Sequence, residues 1–121
     1  MNSAIIGFIL GLMSLPVFKS ILRGRLKTEM TLKVLRDQCK HHVDSGSPFD
    51  VYQALWNIVS GESQSAQGAY DLFIATELKL NEAIFAVSGK TSLWDYSQDK
   101  SKDPQEILDV IDKVRRSDNS Q

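Results

Sequence analysis

The longest apolar run of the chain occupies residues 4–18, AIIGFILGLMSLPVF, and carries no formal charge. A helix that continued from this run through Leu22 would be about 28 Å long, close to the roughly 30 Å hydrocarbon thickness of a bilayer. Lys19 falls near its end, where a long side chain reaches the headgroups, whereas Pro16 favours a kink. The pattern predicts a membrane-spanning helix. The alternatives are a helix in the membrane interface and a hydrophobic helix buried in protein.

Beyond residue 27, apolar residues recur every three or four positions, which indicates helices. No segment shows the strict alternation that is typical of strands. The fold class that follows is all-α: an N-terminal hydrophobic, transmembrane helix followed by a small bundle of three to four helices. The domain organisation is a membrane anchor with its basic juxtamembrane segment, a helical domain and a disordered tail, at 1–27, 28–116 and 117–121.

Capping residues predict where the helices begin and end. The first helix of the bundle begins near Thr28 or Thr31 and ends at Val43. Ser47 is the expected N-cap of the second helix, because a proline suited to the first helical position follows it. The remaining boundary signals are Asp50 at the third position of the second helix, Gly61 at its end, Ser65 and Gly89 around the third helix, and Asp103 as N-cap of the last.

Two helices contain a weak point. Gly24 disfavours helix, so we expect a bend between the anchor and the bundle. The apolar stripe of the third helix fades near Leu80 and Asn81, where the segment can divide into two shorter helices.

The segment 90–103 has no helical period and is predicted to be irregular. Its apolar residues are Leu93, Trp94 and Tyr96. Either these three side chains fold back to close the open end of the bundle, or they form an exposed patch for a protein partner, since aromatic residues are enriched at interfaces.

Charge is distributed unevenly along the chain. Residues 19–40 carry seven basic and two acidic side chains, whereas 41–121 carry seven basic and thirteen acidic ones. A basic cluster next to an anchor binds anionic lipid headgroups and sets topology by the positive-inside rule. The sequence therefore predicts an N-terminus outside and a cytoplasmic domain held off the membrane. The cluster consists of Lys19, Arg23, Arg25 and Lys27.

The flanks of the apolar run differ from those of a cleaved signal peptide. The cations follow the run rather than precede it, and no small-residue cleavage site appears. We therefore expect the anchor to be retained. The lone cysteine, Cys39, forms no intramolecular disulfide, which suits a reducing compartment.

Small residues recur every four positions within the predicted anchor, at Ser3, Gly7 and Gly11. This spacing places them on one helix face and lets two helices pack closely in a membrane. The alternative is that this spacing is incidental, because glycine is common in membrane helices.

Candidate chemistry is sparse. Asp37 and His41 lie four residues apart near Cys39, but a zinc site needs three or four ligands, so the sequence predicts no metal and no cofactor. Phosphate-binding glycine loops and catalytic signatures are absent, which favours a protein that is not an enzyme and has no small-molecule substrate. The acidic body opposes nucleic-acid binding.

The function that these features predict is a single-pass, membrane-anchored helical protein that binds another protein as an adaptor, assembly subunit or membrane-held inhibitor. Membrane lipid and a protein, either a second copy of the chain or a different protein, are the expected partners. The first alternative is a soluble helical protein whose N-terminal helix inserts into a partner or an oligomer core. The second is a small membrane-acting toxin, immunity or exclusion protein.

Overall fold

A computed structural model of the protein describes the backbone of residues 16–119 and the side chains of residues 27–117. This part of the chain is all-helical, which confirms the all-α part of the predicted fold class, with five helices rather than three to four. Residues 4–15 of the predicted transmembrane helix lie outside the described residues. The five helices are α1 Pro16–Ser45, α2 Val51–Glu62, α3 Ala66–Ser88, α4 Leu93–Lys100 and α5 Pro104–Asn119.

Helix α1 is continuous for 30 residues and passes through Gly24 without interruption. It ends at Ser45, two residues beyond the predicted end at Val43. Gly46 adopts a positive φ of 68°, its N–H donates to the carbonyl of Val43, and the N–H of Ser47 donates to the carbonyl of His42. This pair of bonds is a Schellman motif, which satisfies carbonyls left open at the end of the helix.

The predicted start of α2 is wrong by three residues. Asp50, not Ser47, is the N-cap, and its carboxylate accepts a hydrogen bond from the N–H of Gln53. The helix also passes through Gly61 and ends at Glu62. Ser47 lies three residues before this cap, and its hydroxyl lies 3.0 Å from Nδ1 of His42.

Helix α3 begins and ends where the sequence predicts. Ser65 is its N-cap and Gly89, in the left-handed conformation, is its C-cap. The helix runs without the possible break at Leu80 and Asn81. Leu80 is buried in the core, so tertiary packing supports the helix where its apolar stripe is weak.

Helix α4 lies in the segment that was predicted to be irregular. Ser92 is its N-cap, accepting from the N–H of Asp95 at 3.1 Å. Leu93, Tyr96 and Ser97 face the core and are fully buried. The helix has only eight residues, so its sequence is too short to show a repeated apolar spacing.

Helix α5 begins as predicted, with Asp103 accepting from the N–H of Glu106 at 3.3 Å. It continues to Asn119 and so includes 117–119, which the sequence assigned to a disordered tail.

The core lies between α1, α2, α3 and α5, and α4 closes one side of it. Helix α1 packs mainly on α5 and also contacts α2 and α3, while α3 contacts every other helix. The largest fully buried apolar side chains are Leu32, Leu35, Leu55, Leu80, Ile84, Leu93, Tyr96, Ile107 and Ile111.

Candidate functional site

A row of large apolar side chains lies on the outer surface of α3. Tyr70 is 52% exposed, Leu78 64% and Phe85 59%. At about 100° per residue these three positions fall within about 80° of one another around the helix, and at about 1.5 Å per residue they span about 22 Å. We call these three residues the exposed apolar face. Surface patches of large apolar residues mark interaction sites in soluble domains.

The exposed apolar face exists because α3 has more apolar residues than one packed surface accommodates. Leu72, Phe73 and Ile84 turn into the core. The sequence assigned these and the exposed residues alike to the apolar content of the helix. A helix that is apolar on more than one side needs a second partner surface, and this excess was the signal present in the sequence.

Two polar groups lie on the same side of α3. Burial raises the pKa of the Glu77 carboxyl above its ordinary value. One turn further along, the buried side-chain oxygen Oδ1 of Asn81 has no hydrogen-bond partner among the described residues. A buried acceptor without a donor is destabilising.

An aromatic cluster joins α2, α3 and α4. The rings of Trp56 and Phe73 are stacked at 4.0 Å. Tyr52 meets Phe73 edge-on at 5.3 Å and Trp94 edge-on at 4.9 Å. Phe73 is buried, Tyr52 and Trp56 are half-buried, and Trp94 is 51% exposed. The cluster therefore exposes Trp94 to solvent, while Phe73 lies in the packed interior.

The structure separates the three residues proposed as a partner patch. Leu93 and Tyr96 are fully buried, so Trp94 is the one of the three that a partner can reach. The hydroxyl of Tyr96 donates to Glu106 at 2.8 Å. Burial and the neighbouring Glu106 raise the pKa of Tyr96 above its ordinary value, which keeps the phenol neutral.

The residues assigned to the membrane fall largely outside the described side chains. Ser3, Gly7 and Gly11 lie outside the described residues altogether. Backbone positions 19, 23 and 25 belong to α1, and Lys27 is exposed on the same helix. Within the described part of the chain, none of the helices combines the length and apolar composition that crossing a membrane requires. The lipid roles of Lys19, Arg23, Arg25 and Lys27 stay predictions.

Asp37 and His41 border a shallow depression of about 390 Å³ on α1. Asp37 lies 3.7 Å from the guanidinium of Arg36. Among the described residues, no group of three or more His, Cys, Asp or Glu side chains is placed to hold a metal ion.

Cys39 is fully buried between α1 and α5, and its thiol donates to the carbonyl of Pro104 at 3.3 Å. Burial raises its pKa to about 12, and the nearby carboxylate of Asp112 adds to the increase. The thiol is therefore protonated at neutral pH and is a packing group rather than a nucleophile.

The described residues thus define an all-α bundle with an exposed apolar face on α3 and an exposed aromatic side chain, Trp94, on α4. Comparison with known proteins adds no family to this class: no family model, no curated protein and no solved structure matches the chain.

Proposed function

We propose that the chain is a single-pass membrane protein whose cytoplasmic helical bundle is a non-enzymatic protein-binding module. The observation that carries the binding role is the exposed apolar face formed by Tyr70, Leu78 and Phe85. Keeping three large apolar side chains in water costs solubility, and a partner that covers them recovers the hydrophobic free energy. Adaptor, assembly subunit and membrane-held inhibitor are the roles compatible with such a surface.

The shape of the surface favours a helical partner. The exposed apolar face is a single ridge along one helix, about 22 Å long, and an amphipathic helix laid beside it would place its own apolar residues every three or four positions against the ridge. A second copy of the chain meets these requirements as well as a different protein does.

The membrane role rests on the sequence. Residues 4–18 form a charge-free apolar run, and four cations follow it between Lys19 and Lys27. This order favours retention in the bilayer with the bundle on the cytoplasmic side.

Site-specific photocrosslinking tests the binding role. A benzophenone amino acid replaces Leu78 or Phe85 in the full chain, expressed in its own cells, and a third variant carries it at Gln105, an exposed position on α5. We expect a discrete crosslinked product from positions 78 and 85 and none from 105. The mass of the product distinguishes a second copy from another protein.

A second variant excludes nonspecific crosslinking. With the benzophenone at Tyr70, the double substitution Leu78→Ser and Phe85→Ser should reduce the product about tenfold, because central apolar contacts carry most of the binding energy. Its melting temperature should be nearly unchanged, since both side chains are exposed. Equal crosslinking from position 105, or no product from any position on α3, would contradict the proposed binding surface.

A further inference from the structure

Helices α1 and α5 are antiparallel. The thiol of Cys39 contacts the carbonyl of Pro104 at 3.3 Å, and Nε of Arg36 contacts Oδ1 of Asp112 at 3.2 Å. Earlier residues of α1 therefore pair with later residues of α5. Both helices rise by about 1.5 Å per residue, so the two contacts can be continued along the helix pair. Arg116 of α5 then lies at about the level of residues 27–32 of α1.

This arrangement brings two basic clusters that are far apart in sequence to one end of the bundle. One is the segment of α1 that ends at Lys27, and the other is the last part of α5. Lys27 and Arg116 are exposed and Arg115 is half-buried. None of these three side chains forms an ion pair with a residue that the structure describes.

Three of the cations elsewhere in the bundle are paired. Arg36 bonds Asp112, Lys40 bonds Asp44 at 2.9 Å, and Lys100 lies 3.8 Å from Glu106. Carboxylates are also present at the basic end: Glu62 accepts a hydrogen bond from the hydroxyl of Thr31 at 2.9 Å, and Glu82 of α3 borders a depression together with Lys113 and Ser117 of α5.

The opposite end of the bundle is acidic. There the N–H of Phe49 donates to the carbonyl of Ser101 at 2.7 Å, which joins the turn after α1 to the turn before α5. The carboxylates of these turns and of the adjoining end of α4 are Asp44, Asp50, Asp99 and Asp103, and they outnumber the lysines there, Lys100 and Lys102.

From this placement we infer that the last part of α5, through Arg115 and Arg116, is a second contact with anionic lipid headgroups and holds the bundle upright on the membrane. The inference rests on the proposed membrane anchoring. Helix α1 enters the bundle from residue 16 without a break, so the end of the bundle where Arg116 lies is the end nearest to the anchor. Positive charge there is attracted to the anionic leaflet, and negative charge at the far end is repelled. The exposed apolar face of α3 then stays accessible at the side.

Fluorescence quenching tests this orientation. The full chain is reconstituted in vesicles of phosphatidylcholine, with or without one-third phosphatidylserine, containing a headgroup-linked quencher. A fluorophore is attached at Gln64→Cys, in the loop after α2 at the basic end, or at Gln98→Cys on α4. Both positions are exposed, and the buried thiol of Cys39 does not compete for the label. We expect about threefold stronger quenching at position 64 than at 98 when phosphatidylserine is present, because quenching falls with distance from the headgroups and the basic end is drawn to them.

Charge reversal supplies the matched control. Arg116→Glu should remove the difference between the two labels, whereas Lys102→Glu, an exposed reversal at the acidic end, should retain it. Helical circular dichroism verifies that both variants are folded. Equal quenching at both labels in vesicles that retain the protein after alkaline washing would overturn the orientation and leave the anchor intact. Failure of the unmodified chain to stay with vesicles of either composition would overturn the anchor and the orientation together.

Discussion

Asp50 connects two helices through one carboxylate oxygen. Its Oδ1 accepts from the backbone N–H of Gln53 at 3.0 Å and from the hydroxyl of Ser97 at 2.7 Å. The Ser97 oxygen in turn accepts from the N–H of Tyr52 at 3.3 Å. Because Ser97 is fully buried, the carboxylate both caps α2 and satisfies a polar group of α4.

The sequence alone did not locate this role. Ser47 and Asp50 are both good N-cap residues, and local pattern favoured the serine because a proline follows it. The choice is made by tertiary contacts, since the N–H of Phe49 bonds Ser101 and the Asp50 carboxylate bonds Ser97. Neither partner is close in sequence.

At the scale of single residues, we predict the effect of removing the Asp50 carboxylate on stability. Asp50→Ala should lower the free energy of unfolding by about 1–2 kcal/mol, because the cap and the bond to Ser97 are both lost. Asp50→Asn, the control, retains an acceptor oxygen and should lose less than about half of that. Thermal unfolding of the full chain in mild detergent measures both values. Equal losses from the two substitutions would mean that charge or packing, not capping, is the role of Asp50.

At the scale of elements, local signals predicted the helices that local interactions define. Helix α3 is bounded by a serine N-cap and a left-handed glycine, and α5 begins at an Asp-Pro pair, all of which are legible in sequence. Helix α4 was missed because its stability depends on Leu93 and Tyr96 entering a core built by distant segments. The exposed apolar face of α3 was missed for a related reason, since burial is decided by which neighbours are present.

Two glycines, Gly61 near the end of α2 and Gly89 after the end of α3, give a prediction at the scale of helices. Gly61 lies inside the last turn of α2, has no positive φ and leaves open space for a Cβ, whereas Gly89 has a φ of 74°. Gly61→Ala should raise the free energy of unfolding by about 0.5–1 kcal/mol, because alanine favours helix and restricts the unfolded chain. Gly89→Ala should lower it by about 1 kcal/mol, because a left-handed conformation strains a residue with a side chain.

Melting temperatures of the two variants decide between the structure and the sequence pattern. A loss of stability from Gly61→Ala would indicate that α2 ends at this glycine, as the sequence suggested. A neutral effect of Gly89→Ala would contradict the left-handed cap.

At the scale of the molecule, the distribution of charge depends on how the chain folds back. Counted along the sequence, Lys113, Arg115 and Arg116 belong to an acidic region of 81 residues and appear incidental. The antiparallel pairing of α5 with α1 brings Arg115 and Arg116 to about the level of residues 27–33 of α1, next to the end of the basic segment that follows the apolar run. The sequence predicted a basic segment next to the anchor and an acidic domain after it. The position of the second basic cluster, on α5, could be found only from the pairing of α5 with α1.

The whole account depends on where residues 4–18 are solvated. Lipid and protein interior both accept an apolar helix, and the cations that follow it favour lipid. If lipid is correct, α1 connects the bilayer to the bundle, and the exposed apolar face of α3 remains available to a partner.

Alkaline extraction of membranes from cells that express the full chain is the most direct measurement of this claim. Carbonate at high pH removes proteins held by charge or by protein contacts but leaves helices embedded in hydrocarbon. We predict that the chain stays in the membrane pellet and is released only by detergent. Complete release into the carbonate supernatant would contradict the account, because it would show that residues 4–18 are covered by protein rather than by lipid.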